Sequence, residues 1–478
     1  MFTTSFFLIY LIIVILLYFL VRREWRVHLL SVSGILYCFY LDTYAGIVLI
    51  LSSLFTYLAG HELAKFREKN KLTACKLLTG LSVFIHSFTI FFYKFVLYLW
   101  ERMGLVSESP PSFLEFFVIP IGLSFYTFQA ISYILDIYHQ KYTPKESLSE
   151  FLLYMSFFPK FISGPIERPS EFFSQLKSLH NIIFWQTGRL STSFTYILYG
   201  YFLKIVIADR VSVTVNRLFE YPQGYDSFWL SLGIILYTIQ IYTDFAGYSY
   251  IAYGISGIFG IKLDPNFKTP YFALSISDFW RRWHISLSSW LRDYFYIPLG
   301  GNRKGKTRKS FNTLLVFLVC GLWHGTGLSF VIWGLLHGFY SIAETLFLHK
   351  IKNQIIKRSL TLVQVSVAWV FFRATSAGAA INYFKQTLLQ GTSILRICKN
   401  FEKLDLNTVE LWVILLSILI MFWADSYGYR NNSVFPKVLQ NKSQLIRYCL
   451  FYLFLIIIFI FGIYGPGYHS ENFIYMQF

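Results

Sequence analysis

Long apolar stretches recur from one end of the chain to the other, and they limit its possible folds more than any other feature. A bilayer-spanning helix needs about 20 mostly apolar residues, because each residue rises about 1.5 Å and lipid offers the backbone no hydrogen bonds. Hydrophobic residues make up 55% of the chain and charged residues 14%, which is more apolar surface than a soluble domain can bury. We therefore predict an all-α, polytopic integral membrane protein.

The hydropathy pattern predicts about eleven or twelve transmembrane helices in a single membrane domain, 1–478. The predicted spans lie near 5–21, 27–41, 44–60, 77–99, 115–138, 186–208, 227–243, 311–324, 328–347, 359–373, 410–425 and 446–465. Two shorter apolar pieces, 151–163 and 245–262, are predicted to be re-entrant.

The positions of the basic residues predict the topology, because short loops rich in Lys and Arg stay in the cytoplasm. Positive charges follow the first span and none precedes it, so the N-terminus is expected outside. The basic loops 65–76, 303–309, 350–358 and 430–447 are then cytoplasmic, and an even number of crossings places the tail 466–478 outside as well. The net charge of +17 is explained by these loops, so we expect membrane lipids as neighbours and no nucleic-acid partner.

The segment 265–310 is a long stretch between two predicted spans. Ser275 and Asp278 have the spacing of a capping box, and a helix starting there would carry Trp280, Trp283 and Trp290 on one face. Arg281 and Arg282 occur within the same stretch. Two interpretations fit this pattern, and both can hold: an interfacial helix lying in the headgroup region, or a cytoplasmic vestibule whose arginines bind phosphate.

Several polar residues interrupt apolar runs and are therefore expected to line a polar tunnel or to form buried ion pairs. They are Asp136, Lys160, Lys204, Asp209, Gln240, Asp244 and His324. His324 lies in the run LVCGLWHGTGLSF, and its residue type alone leaves both packing and catalysis open. His337 is interpreted as structural. The five cysteines are scattered without metal-ligand spacing, so no metal site is predicted.

Six segments together resemble the bacterial branch of the membrane-bound O-acyltransferases. They are PIGLSFYTFQAISYILDIY (120–138), FFPKFISGPIERP (157–169), QIYTDFAGYSYIAYGISGIFG (240–260), SISDFWRRWHISLSSWLRDYFYIPLGGNRKG (275–305), GLWHG (321–325) and FIYMQF (473–478). Within that family, the membrane subunit of alginate and peptidoglycan O-acetylation systems is the nearest likeness. Tyr250 departs from the family pattern, which usually has Asp at this position.

The resemblance implies a fold with a central tunnel and a set of site residues. It makes His324 the catalytic histidine and His284 the second characteristic histidine. It also implies acetyl-CoA as the cytoplasmic acyl donor, with Arg281, Arg282 and Trp283 as candidate donor-binding residues. Asp244, Gln240 and Lys160 are the candidate polar residues of the tunnel. The expected location is the bacterial cytoplasmic membrane.

Tyr475, in the terminal FIYMQF, is the candidate acyl carrier. A phenol has a pKa of about 10, well below that of an aliphatic alcohol, so a tyrosyl ester retains much of the transfer potential of a thioester. The resemblance adds an extracytoplasmic partner, a serine esterase-like transferase of the SGNH type, which would pass the acetyl group to a polysaccharide. For Tyr475 the alternative is an aromatic residue anchoring the outer interface.

Two other functions are considered beside polysaccharide O-acetylation. One is D-alanyl transfer to teichoic acid from an aminoacyl carrier protein. The other is a non-enzymatic transporter, which would need neither His324 nor Tyr475.

Overall fold

The computed structural model describes residues 2–102, 119–161, 164–183, 186–404 and 406–464. Within these ranges the chain forms helices and connecting loops and contains no β-strand. The predicted all-α fold is confirmed.

The chain divides into two compact units. The first, Thr4–Ser193 with Ala252–Asp264, is called the N-terminal unit. The second, Met1–Thr3 with Phe194–Ile251 and Pro265–Phe478, is called the C-terminal unit. Two of the four boundaries along the chain, 193/194 and 251/252, fall inside helices, which are α8 and α10 in the numbering below.

The first ten helices contain the predicted spans of the N-terminal half. Their bounds are α1 Ser5–Leu20, α2 Arg26–Leu41, α3 Thr43–Glu68, α4 Leu72–Arg102, α5 Leu123–Tyr138, α6 Leu148–Ser156, α7 Pro169–Leu176, α8 Thr187–Tyr201, α9 Asp209–Glu220 and α10 Ser227–Ile258. Between α8 and α9 the chain continues as a π-helix, Phe202–Ala208.

Ten further helices follow in the C-terminal unit. They are α11 Ile276–Trp280, α12 Ile285–Leu291, α13 Gly305–His324, α14 Leu328–Phe347, α15 Gln354–Arg373, α16 Ala377–Leu389, α17 Ile394–Lys403, α18 Thr408–Arg430, α19 Phe435–Leu439 and α20 Gln444–Phe461. A π-helix, Arg292–Tyr296, extends α12.

Eight helical stretches among the described residues are long and apolar enough to cross a membrane, fewer than the eleven or twelve predicted. A helix nevertheless lies at every predicted span. The difference arises because α1, α2 and α5 are only 16 residues long, and because α13 begins with the charged residues Lys306, Arg308 and Lys309. The protein is a multi-pass membrane protein.

The prediction of a separate re-entrant piece at 245–262 is wrong. Residues 227–258 form one continuous 32-residue helix, α10. It ends at Ile258, and Gly260 just beyond has a φ of +85°, which glycine adopts most readily. There the amide of Ile261 donates to the carbonyl of Ser256 over 3.0 Å, as at many helix C-termini. Gln240 and Asp244 therefore lie in the middle of a continuous helix, away from its ends.

The chain around Lys160, within the piece 151–163 predicted to be re-entrant, is not helical. Helix α6 ends at Ser156 and α7 begins at Pro169. At Gly164 the backbone returns so close to Lys160 that an added Cβ would lie 2.2 Å from the Lys160 Cα.

Helices α13 and α14 form a tightly packed antiparallel pair joined by three residues. Two glycines face each other's helix: a Cβ on Gly321 would lie 2.4 Å from the Phe330 carbonyl oxygen, and one on Gly334 would lie 2.3 Å from that of Phe317. Backbones at this separation leave no room for a side chain. The pair consequently fixes the position of the last residue of α13, which is His324.

Candidate active site

His324 is buried, with 4% of its surface exposed, and three aromatic rings surround its imidazole. The ring centroids of Trp323, Trp333 and Phe372 lie 4.6, 5.0 and 5.2 Å from that of His324. Trp333 belongs to α14 and Phe372 to α15, so the position of the imidazole depends on three helices. Side chains this closely packed have little rotamer freedom.

His284 is fully buried, at 0% exposure, and contacts the same tryptophan. Its ring centroid lies 4.8 Å from Phe245 and 6.2 Å from Trp323. Trp323 therefore contacts both of the predicted catalytic histidines. Burial lowers the pKa of His284 to about 3, so its imidazole is neutral at physiological pH.

The prediction of a single helix starting at Ser275 is wrong, because the helix breaks at RRWH, residues 281–284, called the RRWH segment below. Helix α11 ends at Trp280, and α12 begins at Ile285 after His284 adopts a left-handed conformation with φ of +43°. Backbone from the preceding segment replaces the missing helical bonds: the Lys268 amide donates to the Arg282 carbonyl over 2.9 Å, and the Ile285 amide donates to the Asn266 carbonyl over 3.0 Å.

The start of α11 is fixed by two side chains. Ser275 accepts from the Asp278 amide over 2.9 Å, as the predicted cap requires. The carboxylate of Glu344, from α14, accepts from the amides of Ile276 and Ser277 over 2.6 and 3.1 Å. A negative charge at a helix N-terminus is stabilising, and here it ties the RRWH segment to α14.

The tryptophans of this segment are buried in protein, which overturns the prediction of an aromatic face lying in the headgroup region. Trp280, Trp283 and Trp290 are 9%, 1% and 7% exposed. Trp283 packs at 5.0 Å from the rings of both Phe267 and Trp369. Trp283 and His284 both pack against the ring of Phe245, at 6.5 and 4.8 Å.

The two candidate donor-binding arginines have different environments. Arg281 is exposed to solvent. Arg282 is partly buried, and its Nε lies 2.9 Å from Asp278 Oδ1. Its guanidinium carbon also lies 5.3 Å from the ring centroid of Tyr429. Arg281 and Arg282, although adjacent in sequence, therefore differ in exposure and in contacts.

His337 is fully buried, and its Nδ1 accepts a hydrogen bond from Trp280 Nε1 over 3.3 Å. Its ring lies 5.1 Å from that of Trp333, which also contacts His324. Trp333 and Phe372 were not singled out from the sequence, since tryptophan and phenylalanine are common throughout this chain. Their role as neighbours of His324 depends on the way α14 and α15 pack.

A buried carboxylate, Asp425, was also missed. It is 3% exposed and accepts from the hydroxyl of Tyr242 over 2.9 Å. The signal was available, because Asp425 is an acidic residue at the end of a predicted apolar span, and such residues are rare without a partner.

Lys204, Asp209 and Asp244 form a buried ion cluster in the C-terminal unit. Lys204 Nζ lies 2.7 Å from a carboxylate oxygen of each aspartate. Of the two outcomes expected for polar residues in apolar runs, a polar tunnel or buried ion pairs, these three residues show buried ion pairs. Gln240, one turn before Asp244, is also buried at 5% exposure, and its Oε1 has no hydrogen-bond partner among the described residues.

Lys160 lies in the N-terminal unit and is buried beside Gln129, to whose Oε1 it donates over 3.3 Å. Its Nζ also contacts the rings of Tyr154 and Phe172 at 4.5 and 4.2 Å. Burial lowers the pKa of Lys160 to about 7 and raises that of Glu167 to about 7. Glu167, Glu171 and Asp264 place carboxylate oxygens within 4.8 Å of one another, and Lys160 supplies a counter-charge to Glu167.

Tyr475 and the tail 466–478 lie outside the described residues. The acyl-carrier role of Tyr475 therefore stays a prediction.

Comparison with known proteins gives the same family as the motifs. A family model described as the membrane-bound O-acyltransferase family, MBOAT, matches residues 143–381. The chain is 32% identical over 436 residues to a probable alginate O-acetylase AlgI of Pseudomonas putida, covering 88% of this chain and 86% of the relative. A peptidoglycan O-acetyltransferase of Helicobacter pylori is 36% identical, covering 67% of this chain and 66% of the relative.

Similarity to a third kind of relative is less extensive. A teichoic acid D-alanyltransferase of Streptococcus thermophilus is 30% identical over 252 residues, covering 49% of this chain and 58% of the relative.

Proposed function

The chain belongs to the membrane-bound O-acyltransferase family, and from that premise we propose that it carries acetyl groups from cytoplasmic acetyl-CoA across the membrane for O-acetylation of a cell-envelope or secreted polysaccharide. The observation that carries the proposal is the environment of His324. Its imidazole is buried, has a fixed position among three aromatic rings, and shares Trp323 with His284. Similarity over most of the chain to a probable alginate O-acetylase supports the acetyl group and the polysaccharide acceptor.

In the proposed reaction His324 is the general base. Attack of a hydroxyl on a thioester requires a group that accepts the hydroxyl proton as the new C–O bond forms, and neutral imidazole is suited to this. The acetyl C–S bond then breaks, and the proton held by His324 passes to the departing thiolate of CoA. His284, neutral because it is buried, contributes no charge to the site and positions Trp323.

Tyr475 is the proposed first acceptor. Its hydroxyl would take the acetyl group and present it outside the membrane to a serine esterase-like partner of the SGNH type. The serine would displace the phenol, and the acetyl group would pass to a polysaccharide hydroxyl. Asp244, Gln240 and Lys160 are proposed to support the polar interior of the domain, and both termini are proposed to lie outside the cell.

Arg282 is the stronger of the two candidate arginines for binding the donor, because it is partly buried and held by Asp278. Exposed Arg281 would contribute chiefly long-range attraction for an anionic donor. Trp283, with 1% exposure, would support His284 without touching the donor.

D-alanyl transfer to teichoic acid is the second candidate function. The alignment with the teichoic acid D-alanyltransferase covers 49% of this chain, whereas the alignments with alginate O-acetylases reach 90% of it. The difference in coverage favours acetyl transfer. The transporter alternative has no support once the family is established.

The test is transfer of radiolabel from acetyl-CoA to the purified protein, followed by peptide mass spectrometry. We expect label on the peptide containing Tyr475 in the wild type, and none in His324→Ala. Activity that survives in His324→Ala would overturn the proposed base. A preference for a D-alanyl carrier protein as donor would replace the first function with the second.

A further inference from the structure

Two arginines from distant parts of the sequence lie against one tyrosine ring. The guanidinium carbons of Arg282 and Arg358 lie 5.3 and 4.9 Å from the ring centroid of Tyr429. Arg282 follows α11, Arg358 lies near the start of α15, and Tyr429 lies near the end of α18. Three segments of the C-terminal unit therefore meet at this point.

A second ring completes the cluster. Phe272 stacks on Tyr429 with a centroid distance of 5.2 Å and an interplanar angle of 24°. Arg358 lies 5.5 Å from the Phe272 centroid as well. Arg358 therefore contacts both rings and Arg282 contacts one of them, and cation–π attraction contributes to holding both side chains there. We call Arg282, Arg358, Tyr429 and Phe272 the arginine–tyrosine cluster.

The cluster has more positive than negative charge. Arg282 is paired with Asp278 at 2.9 Å, and its second contact is the carbonyl of Lys268 at 3.5 Å. Arg358 forms no ion pair with any residue that the structure describes, and its buried Nε has no hydrogen-bond partner there. A buried donor without an acceptor is destabilising. An anion bound at Arg358 would relieve that cost.

The shape of the donors indicates which anion. Guanidinium is planar and presents parallel N–H groups, which match two oxygens of a phosphate. Two such groups beside stacked aromatic rings suit a phosphate ester better than a single spherical ion. Arg358 lies in the basic loop 350–358, and Tyr429 immediately precedes the basic loop 430–447. Both loops were predicted to be cytoplasmic from their charge.

We propose that the arginine–tyrosine cluster is a binding site for a phosphate group, with Arg358 and Arg282 as its two donors. The phosphate could belong to the nucleotide portion of the acyl donor or to a phospholipid headgroup, since the chemistry is shared. The first source deepens the proposed function and rests on it for the identity of the donor. In either case Arg358 takes the place that sequence analysis gave to Arg281.

The first measurement is equilibrium binding of adenosine 3′,5′-bisphosphate to the purified full-length protein. This compound carries two of the three phosphates of CoA and no acyl group. We expect Arg358→Gln to raise the Kd about tenfold or more, since a hydrogen bond to a charged group contributes about 1.5–3 kcal/mol. The matched control is Arg430→Gln, which removes the same charge from an exposed residue next to Tyr429. Arg430→Gln should change the Kd less than threefold.

The second measurement is binding of phosphatidylglycerol to the same three proteins in nanodiscs of otherwise zwitterionic lipid. Selective loss of lipid binding in Arg358→Gln, with nucleotide binding unchanged, identifies the phosphate as that of a headgroup. If Arg358→Gln binds both ligands as tightly as the wild type, or if Arg430→Gln weakens them equally, the site is refuted.

Kinetics separate this site from the proposed function. Arg358→Gln should raise the KM for acetyl-CoA and leave the KM for acetyl-pantetheine, which lacks the nucleotide, unchanged. Binding needs no turnover, so the first two measurements remain decisive even in a protein that transfers no acetyl group. In that case the phosphate site would stand and the proposed function would fall.

Discussion

Gly321→Ala tests whether close packing of α13 against α14 sets the position of His324. The added Cβ would lie 2.4 Å from the carbonyl oxygen of Phe330, where ordinary contact begins at 3.4 Å. That oxygen belongs to the backbone, so it cannot rotate away, and the helices must separate by about 1 Å. Misplacing a reacting group by about 1 Å can reduce the rate about a hundredfold. We therefore expect kcat to fall by roughly that factor, which corresponds to about 2.7 kcal/mol.

The assay is release of CoA from acetyl-CoA by the purified protein, alongside its melting temperature. Gly338→Ala is the matched control on the same helix pair. Its Cβ would lie 3.1 Å from a methyl carbon of Leu314, and a leucine side chain can move aside. Gly338→Ala should lose little activity. If Gly321→Ala retains wild-type kcat and melting temperature, the helix pair does not control the position of the imidazole.

Three further predictions concern the buried charges and the second histidine. Lys204→Met should destabilise the protein by about 3–5 kcal/mol, because it leaves Asp209 and Asp244 buried without their shared cation. Chemical unfolding measures this change in the free energy of unfolding. Adding Asp209→Asn and Asp244→Asn to Lys204→Met should recover most of the lost stability. Burial lowers the pKa of Lys160 in the folded state to about 7, below its value of about 10.4 in the unfolded chain. Above pH 7 the unfolded state therefore binds more protons than the folded state. The free energy of unfolding should consequently rise from pH 7 to 9. Lys160→Met should remove that rise in melting temperature, and a rise of unchanged size would contradict the assigned titration. His284→Phe should lower kcat by altering the packing around Trp323. The pH profile of kcat should not shift, because His284, with a pKa of about 3, does not titrate near neutral pH. Loss of an ionisation from that profile would instead show that His284 acts as an acid or a base.

The spans were predictable because hydropathy acts locally. Each predicted span falls on a helix, since a run of about 20 apolar residues has few alternatives in lipid. The prediction was poorer where helix ends depend on tertiary contacts. The apolar residues 245–258 simply continue α10, and only the glycine at position 260 marks its end.

The RRWH segment shows why the site was harder to predict than the spans. Its aromatic spacing fits an amphipathic helix, yet the backbone of 266–268 inserts beside it and breaks the helix at His284. Such an insertion depends on residues that no local pattern relates to the motif. In the same way, Arg358 and Tyr429 reach Arg282 only through folding, whereas Arg281, its neighbour in sequence, remains exposed.

Individual polar residues were predicted better than their partners. The cost of an unpaired charge in an apolar run identified Lys204, Asp209 and Asp244 one by one. The sequence did not show that these three pair with one another, as they do. Asp425 obeys the same rule and was overlooked at the end of its span. The aromatic neighbours of His324 carry no comparable signal, because an aromatic residue is as stable against lipid as against another ring.

Proteoliposomes can show whether acetyl groups pass from one side of the membrane to the other at His324. Acetyl-CoA is supplied only on the side that faces the cytoplasm in the cell. The esterase-like partner and the polysaccharide are supplied only on the opposite side. We expect acetyl ester on the external polysaccharide, with the released CoA remaining on the side where acetyl-CoA was added. With His324→Ala we expect no ester. Ester that forms only when donor and acceptor occupy the same compartment would contradict the claim.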